Sequence, residues 1–361
     1  MTSEFTGQID VLRDAARQLA LAGAEAGILE VHRSLLSIVD DEGSDGVLIQ
    51  DQAHPGAPAR PIDANAHEAV ASALQQKFAA LKDVLPVSVH SLRVVGEESG
   101  TQTQILREGT LLARTDPLDG TTNAVNTLTG FSSVVCIDLV KAAGSPARHL
   151  AGAIFGGDFD LCWTNYSLRS KTGDPVWARK AGDVYIRSAR LGRGWQLLRV
   201  EQESRSDSVA AVAASQRRFT AFEAVRERVF RHDGVVYHLA GNPLWAGLLM
   251  GQVGSVVETQ SVTLHDSAFL IPHVLLGGNI EDSKGHPLDY LSLYESSCAV
   301  FDARHAPVPP YVAYSGGVNP LADLGDLPVS TSPTAPSVDV DPPLPANRAQ
   351  RSVELPDDVL E

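Results

Sequence analysis

Apolar side chains recur at three- and four-residue spacing near the start of the chain, at Val11, Leu12, Ala15, Leu19, Ala22, Ala26 and Leu29. That period gathers them on one face and predicts an amphipathic helix over residues 9–39. A second helix is expected over 63–81. Short apolar runs then dominate and predict strands over 110–115, 132–140, 150–155, 161–163 and 176–179. A second α/β unit begins near 208–214 and leads into a helix at 221–230. A largely apolar segment after Asp266 reads as a further helix, capped by Asp266 and stopped by Gly277-Gly278-Asn279. No repeat of fixed period is visible. The alternation of helices and strands places the chain in the α/β class.

One stretch carries chemistry: Asp116-Pro117-Leu118-Asp119-Gly120-Thr121-Thr122-Asn123. It follows the buried strand at 110–115. Pro117 biases Asp116 toward extended geometry, Gly120 permits a sharp turn, and Thr-Thr-Asn suits the start of a helix. At such a strand-to-helix junction, free backbone N–H groups favour a phosphate. Two carboxylates beside them favour a hard cation such as Mg²⁺. The run is also compatible with a plain acidic turn, since Asp, Pro and Gly all form turns. A haloacid-dehalogenase-type loop needs acids two apart, and Pro117 stands where the first would be. An EF-hand lacks its alternating acids here.

Two more acidic elements flank this run. Gly96-Glu97-Glu98-Ser99 follows a strand end, and Asp266-Ser267-Ala268 opens the apolar helix. Taken with the central octapeptide and with Gly277-Gly278-Asn-Ile-Glu-Asp-Ser-Lys-Gly285-His-Pro287-Leu288-Asp289, they occur in the order found in the inositol monophosphatase family. Roughly residues 8 to 305 resemble that family of Mg²⁺-dependent, lithium-sensitive phosphomonoesterases. The octapeptide is the specific part; the Gly-Gly element is supportive.

The resemblance implies a layered α-β-α-β-α sandwich with the site between two halves. It assigns Glu97, Asp116, Asp119 and Asp266 to two or three Mg²⁺ ions through their side chains, and Leu118 through its carbonyl. Gly120, Thr121 and Thr122 would meet the phosphate through backbone N–H groups. Thr121 would orient the attacking water through its hydroxyl, and Glu97 and Asp63 would share in activating it. Asp63 lies in Arg60-Pro-Ile-Asp63-Ala-Asn-Ala-His67, similar to an aspartate stretch of the nucleotidase-like members, although the usual preceding threonine is absent.

Substrate positions depart from the family pattern. His265 stands where tryptophan is common, and the acidic contact upstream falls at Thr259, with Glu258 one place away. The small-residue stretch reads Gly241-Asn242-Pro243-Leu244-Trp245. Asn242, Glu258 and His265 are therefore the expected pocket residues. The expected activity is hydrolysis of a small inositol, sugar or related polyol phosphate by metal-activated water. A 3'(2'),5'-bisphosphate nucleotidase and a non-catalytic phospholigand-binding descendant are the alternatives.

Composition narrows the partners. A net charge of −15 speaks against nucleic acid. No apolar stretch is long enough to span a bilayer, and the acidic amino end lacks an export pattern. Three widely spaced cysteines, Cys136, Cys162 and Cys298, fit buried thiols in a reducing cytoplasm. The partners expected are a small phosphorylated substrate and a second copy of the chain, giving a homodimer. Between 320 and 361, eight acids oppose Arg348 and Arg351, and eight of the 21 prolines fall there. The expected organisation is an N-terminal half at 1–205, a C-terminal half at 206–318 and an acidic, proline-rich disordered tail at 319–361.

Overall fold

The structure is a computed structural model. It describes residues 3–40, 49–50, 58–59, 61–96, 106–121, 124, 130–142, 147–156, 159–165, 182–188, 194–198, 208–212, 235–239, 242, 245–249, 251, 253–258, 261–264, 266–296, 308–316 and 319. The strand expected at 176–179, the helix expected at 221–230, Cys298 and the tail beyond 319 lie outside these residues.

The first periodic segment forms helix α1, Ser3–Asp40, longer at its start than the periodicity alone predicts. Its buried stripe is Leu12, Ala15, Ala16, Leu19, Ala20, Ala24, Ile28, Val31 and Leu35. Many of these are small for a reason. A Cβ at Gly23 or Gly27 would run into Leu74 or Val70 of the next helix and Val135 or Ser133 of the sheet. The helix can therefore seat itself close to both. Helix α2, Pro61–Leu81, starts on a proline, whose missing N–H costs nothing at that position. It buries Ile62, Ala66, Val70, Leu74 and Leu81.

Both helices cover one face of a seven-stranded sheet. Strands β1, Ile49–Gln50, and β2, Pro58–Ala59, form a separate antiparallel pair. The large sheet holds β3, Ser91–Gly96, β4, Thr110–Asp119, β5, Ser132–Val140, β6, Ala147–Gly156, β7, Phe159–Asn165, β8, Gly182–Ser188, and β9, Gln196–Leu197, side by side in that order. β3 runs parallel to β4, and every other neighbouring pair is antiparallel. β4 is buried along its whole length because both faces are covered. Leu111, Ala113, Val135 and Ile137 face the helices, while Leu112, Val134, Cys136 and Trp163 face a second core.

That second core contains three short helices: α3, Trp245–Leu249, α4, Leu270–Leu275, and α5, Tyr290–Ser296. Beyond them lies a five-stranded sheet of β10, Ser208–Val212, β11, Val235–Leu239, β12, Ser255–Glu258, β13, Asn279–Asp282, and β14, Tyr311–Tyr314. Its order is β11-β10-β12-β14-β13, with β10 parallel to both β11 and β12. The described layers thus read α-β-α-β, a mixed α+β sandwich.

Helix α4 stops where the glycines predict. Gly277 takes φ +87°, its N–H bonds to Val274 O at 2.9 Å, and Gly278 N–H reaches His273 O at 2.9 Å. This pairing closes the last carbonyls of the helix. Its start differs from the expectation. Phe269 occupies the cap position, so Asp266 sits in the preceding turn. Cys136 and Cys162 are buried thiols, each pushed up to about 12 by burial. Among the described residues no helix is long and apolar enough to cross a membrane.

Candidate metal and phosphate site

Along a regular strand, side chains three residues apart point to opposite faces. Asp116 and Asp119 escape this because β4 carries a bulge between them. Asp116 pairs with Val134 and Asp119 with Ser132, so three steps on β4 match two on β5. Pro117 sits in the bulge, where its lack of an N–H does not interrupt a regular ladder. The chain then turns at Gly120, with φ +84°. A Cβ there would come 2.7 Å from the carbonyl oxygen of Gly130. Only glycine fits both demands. Ala124 N–H bonds to Gly120 O at 2.9 Å and closes a turn over the loop.

The bulge brings Asp116 and Asp119 to Asp266, which arrives from the turn before α4. One carboxylate oxygen from each of the three lies within 4.8 Å of the other two. Asp116 and Asp119 are buried, at 2% and 7% exposure. Neutral groups orient two of them. Asp119 Oδ2 accepts the backbone N–H of Asn242 and, at 3.5 Å, the hydroxyl of Ser132. Asp266 Oδ2 accepts the hydroxyl of Thr263 at 2.7 Å, and Thr263 Oγ1 accepts the Asp266 N–H at 3.4 Å. Three carboxylates this close repel one another out of water. Carboxylate oxygens with a nearby carbonyl are the donor set of a hard cation such as Mg²⁺, so the residues fit that group.

Thr121 meets the other expected residues. Its Oγ1 lies 2.9 Å from Asp63 Oδ1 and 3.1 Å from the Leu118 carbonyl. With a single hydroxyl proton, it donates to one of them at a time. Asp63, in the first turn of α2, is thereby brought to a loop 58 residues away in sequence. The side chain of Leu118 is buried in the core shared with the helices, while its carbonyl turns toward Thr121. Gly96 ends β3 opposite Thr115, one residue before Asp116. Glu97 comes next in the chain, but Glu97, Thr122 and His265 lie outside the described residues.

Of the expected pocket residues, Asn242 is fully buried. Its backbone binds Asp119, and its Oδ1 accepts the Phe269 N–H at 3.0 Å. Glu258 is buried at the end of β12, where it pairs across the sheet with Tyr311. Sequence reasoning missed Thr263 and Ser132. The first was discoverable: a threonine three residues before an acid is a capping-box spacing. Ser132 carries no such signal, because only the strand register places it opposite Asp119.

A second buried polar cluster adjoins the site. Arg114 is two residues upstream of Asp116 on the same face of β4. Its Nε donates to Asp138 Oδ2 at 3.0 Å and its Nη2 to the Tyr294 carbonyl at 3.1 Å. The guanidinium also stacks 3.5 Å over the Tyr294 ring. Trp163 Nε1 donates to His149 Nε2 at 2.8 Å, which leaves the ring proton on Nδ1, 2.8 Å from Asp138 Oδ1. Burial would raise the Asp138 carboxyl, but Arg114 and His149 more than reverse this and hold it below its ordinary value.

No protein-family model matches the sequence, and no curated protein matches it. Solved structures do. CysQ from Bacteroides thetaiotaomicron, a bacterial member of the inositol monophosphatase family, superposes with a TM-score of 0.52 at 16% identity, over 84% of this chain and 97% of that one. The extragenic suppressor protein SuhB from Bartonella henselae gives a TM-score of 0.49 at 14% identity, over 82% of this chain and 93% of that one. Inositol monophosphatase-II from Staphylococcus aureus MSSA476 gives 0.49 at 15%, over 88% and 93%. The likeness to CysQ shows the fold: this chain is folded as that inositol monophosphatase family protein is.

Proposed function

We propose that the protein is a Mg²⁺-dependent phosphoric monoester hydrolase acting on a small phosphorylated polyol or sugar. The observation that carries the reading is the convergence of Asp116, Asp119 and Asp266 within 4.8 Å, from segments far apart in the chain. The Gly120-Thr121 turn beside them and the shared fold with CysQ support it.

Asp116, Asp119, Asp266, Glu97 and the Leu118 carbonyl would hold two or three ions. Bound Mg²⁺ would acidify a water molecule and withdraw charge from the phosphate and the leaving oxygen. The protein's own groups do the rest. Backbone N–H groups at Gly120, Thr121 and Thr122 receive the equatorial phosphate oxygens as charge develops on them. Thr121 Oγ accepts a hydrogen bond from the attacking water while its own hydroxyl donates to Asp63 Oδ1. That contact orients the nucleophile and gives its proton a route to a carboxylate. Discrimination between substrates falls to groups meeting the alcohol, for which Glu258 and His265 are the candidates.

Asp63 at the loop and His67 one helical turn further, beside Gly96, favour a bisphosphate nucleotidase as the second reading. A panel of phosphate esters, including inositol 1-phosphate and adenosine 3',5'-bisphosphate, assayed with Mg²⁺ and again with EDTA, tests both. Phosphate release that survives chelation would sink the metal mechanism. Ester binding without release would place the chain among non-catalytic phospholigand binders.

A further inference from the structure

Asp119 and Asp266 come from different parts of the chain, yet one residue touches both of their supports. Asn242 is completely buried. Its backbone N–H holds Asp119 Oδ2. Its side-chain Oδ1 accepts the N–H of Phe269, the residue at the start of α4, at 3.0 Å. Phe269 has no side-chain cap of its own. Asn242 therefore supplies, from a distant segment, an acceptor for the cap residue's own N–H, the donor that a first-turn glutamate or glutamine takes in a capping box. The turn from Asp266 to Phe269 is fixed at its other end by Thr263, which binds both the Asp266 carboxylate and its N–H.

We propose that Asn242 is a positioning residue that sets the distance between Asp119 and Asp266 and so preorganises the cation site. The inference rests on the metal reading above. Carboxylates brought together without a cation push apart, and without the Asn242 side chain the turn keeps its bonds through Thr263 and Ser267 but loses its tie to the residue that holds Asp119. With Asn242 in place, Asp119 and the turn that carries Asp266 are tied to one buried residue, the first through its backbone N–H and the second through its side-chain carbonyl. Groups that orient metal ligands in this way typically change metal affinity ten- to a hundredfold when removed. Asn242 acts through the acids, and both of its described bonds point into the protein.

The test is a Mn²⁺ titration of the full chain, followed by loss of the free-ion EPR signal, with circular dichroism to confirm folding. Asn242→Ala should weaken Mn²⁺ binding about tenfold or more. Asn242→Asp keeps an acceptor of the same reach and should bind within about threefold of the unmutated chain or more tightly. In assays, the Mg²⁺ concentration for half-maximal phosphate release should shift with the Mn²⁺ affinity. The ester KM at saturating Mg²⁺ should stay within about twofold, a split that general loosening of the fold would not produce. Asn242→Ser, whose hydroxyl is too short to reach Phe269, replaces the alanine variant if that one does not fold, with the same weakening expected. Should neither truncation fold, Asn242→Asp decides alone, and a tenfold loss in it overturns the proposal. Unchanged affinity in a folded truncation overturns it as well. If the unmutated chain binds no Mn²⁺, the metal reading falls and takes this inference with it.

Discussion

Two polar clusters meet the same face of the large sheet, one around Asp138 and one around Asp116, Asp119 and Asp266, and they are built on opposite principles. Around Asp138, three groups oppose its charge or donate to it: Arg114, the Nδ1–H of His149 and the hydroxyl of Tyr294 at 3.3 Å. Around Asp119 and Asp266, the hydrogen bonds described come from a backbone N–H and hydroxyls, and a third acid, Asp116, joins them within 4.8 Å. Closely spaced carboxylates in a low-dielectric setting favour protonation or a bound cation. A carboxylate with a cation built beside it needs neither. The difference separates a cluster that holds the fold from one whose acids could hold a metal ion.

The widest gap between the two should appear in turnover. Asp116→Asn is expected to lower kcat by at least about a hundredfold, since even groups that only orient metal ligands cost ten- to a hundredfold. Asp138→Asn, if it folds, should leave the Mg²⁺ dependence of phosphate release in place. Equal losses in both would erase the distinction.

Stability should respond with opposite signs. Asp138→Asn strands Arg114 in the core and should cost about 3–5 kcal/mol in urea unfolding. Asp116→Asn removes one of three mutually repelling charges. Measured in EDTA, its midpoint should be equal to or above that of the unmutated chain.

Acid titration sharpens the comparison further, because a second buried group acts in a separate window. Burial lowers His273 from 6.5 to about 4. Its ring stays neutral in the folded protein while the unfolded chain takes up a proton. The stability it secures is complete above pH 6.5 and is lost as pH falls toward about 4. Asp138 is also depressed, but from 3.8. Its contribution is complete above that value and declines only below it, as pH falls through its folded pKa. Thermal unfolding between pH 7 and 3 should therefore show His273→Asn flattening the upper part of the curve and Asp138→Asn the lower. The smallest effect belongs to the exposed pair Arg17–Asp14 at 2.6 Å. Asp14→Asn should shift stability by no more than about 0.5 kcal/mol, since solvent already screens the pair.

The two clusters were unequally legible in the sequence. Asp116, Asp119, Gly120 and Thr121 declare themselves because a strand, a proline, a glycine and a run of hydroxyls fall in one short stretch. The structure then supplies the bulge, which the spacing of the acids required but could not display. Asp266 was visible through its place before an apolar helix, although it precedes the cap instead of forming it. Arg114, Asp138, His149 and Trp163 gave no signal, since they come one each from β4, β5, β6 and β7 and only sheet register brings them together. The same holds for Asn242. The family resemblance suggested a pocket lining for it, whereas its bonds to Asp119 and Phe269 depend on segments 123 and 27 residues away. Helix and strand periodicity carried most of the architecture. Long-range hydrogen bonding by short polar side chains has no periodicity to read.

The order of strands in the large sheet bears on how the molecule assembles. From β4 to β9 each strand lies beside its sequence neighbour, so this meander can zip up through local hairpins with little loop-closure entropy at each step. The bulge lies in its first strand, β4, and the glycine turn directly follows. Asn242 reaches them only after the chain has passed through β10 and β11, and Asp266 after β12 as well; the bond from Asn242 to Asp119 spans 123 residues. A nascent chain emerging from the ribosome would thus carry half a cation site until most of its length was made. Tight ion capture would then mark the completed molecule, acting as a seal on a finished fold instead of a seed for it.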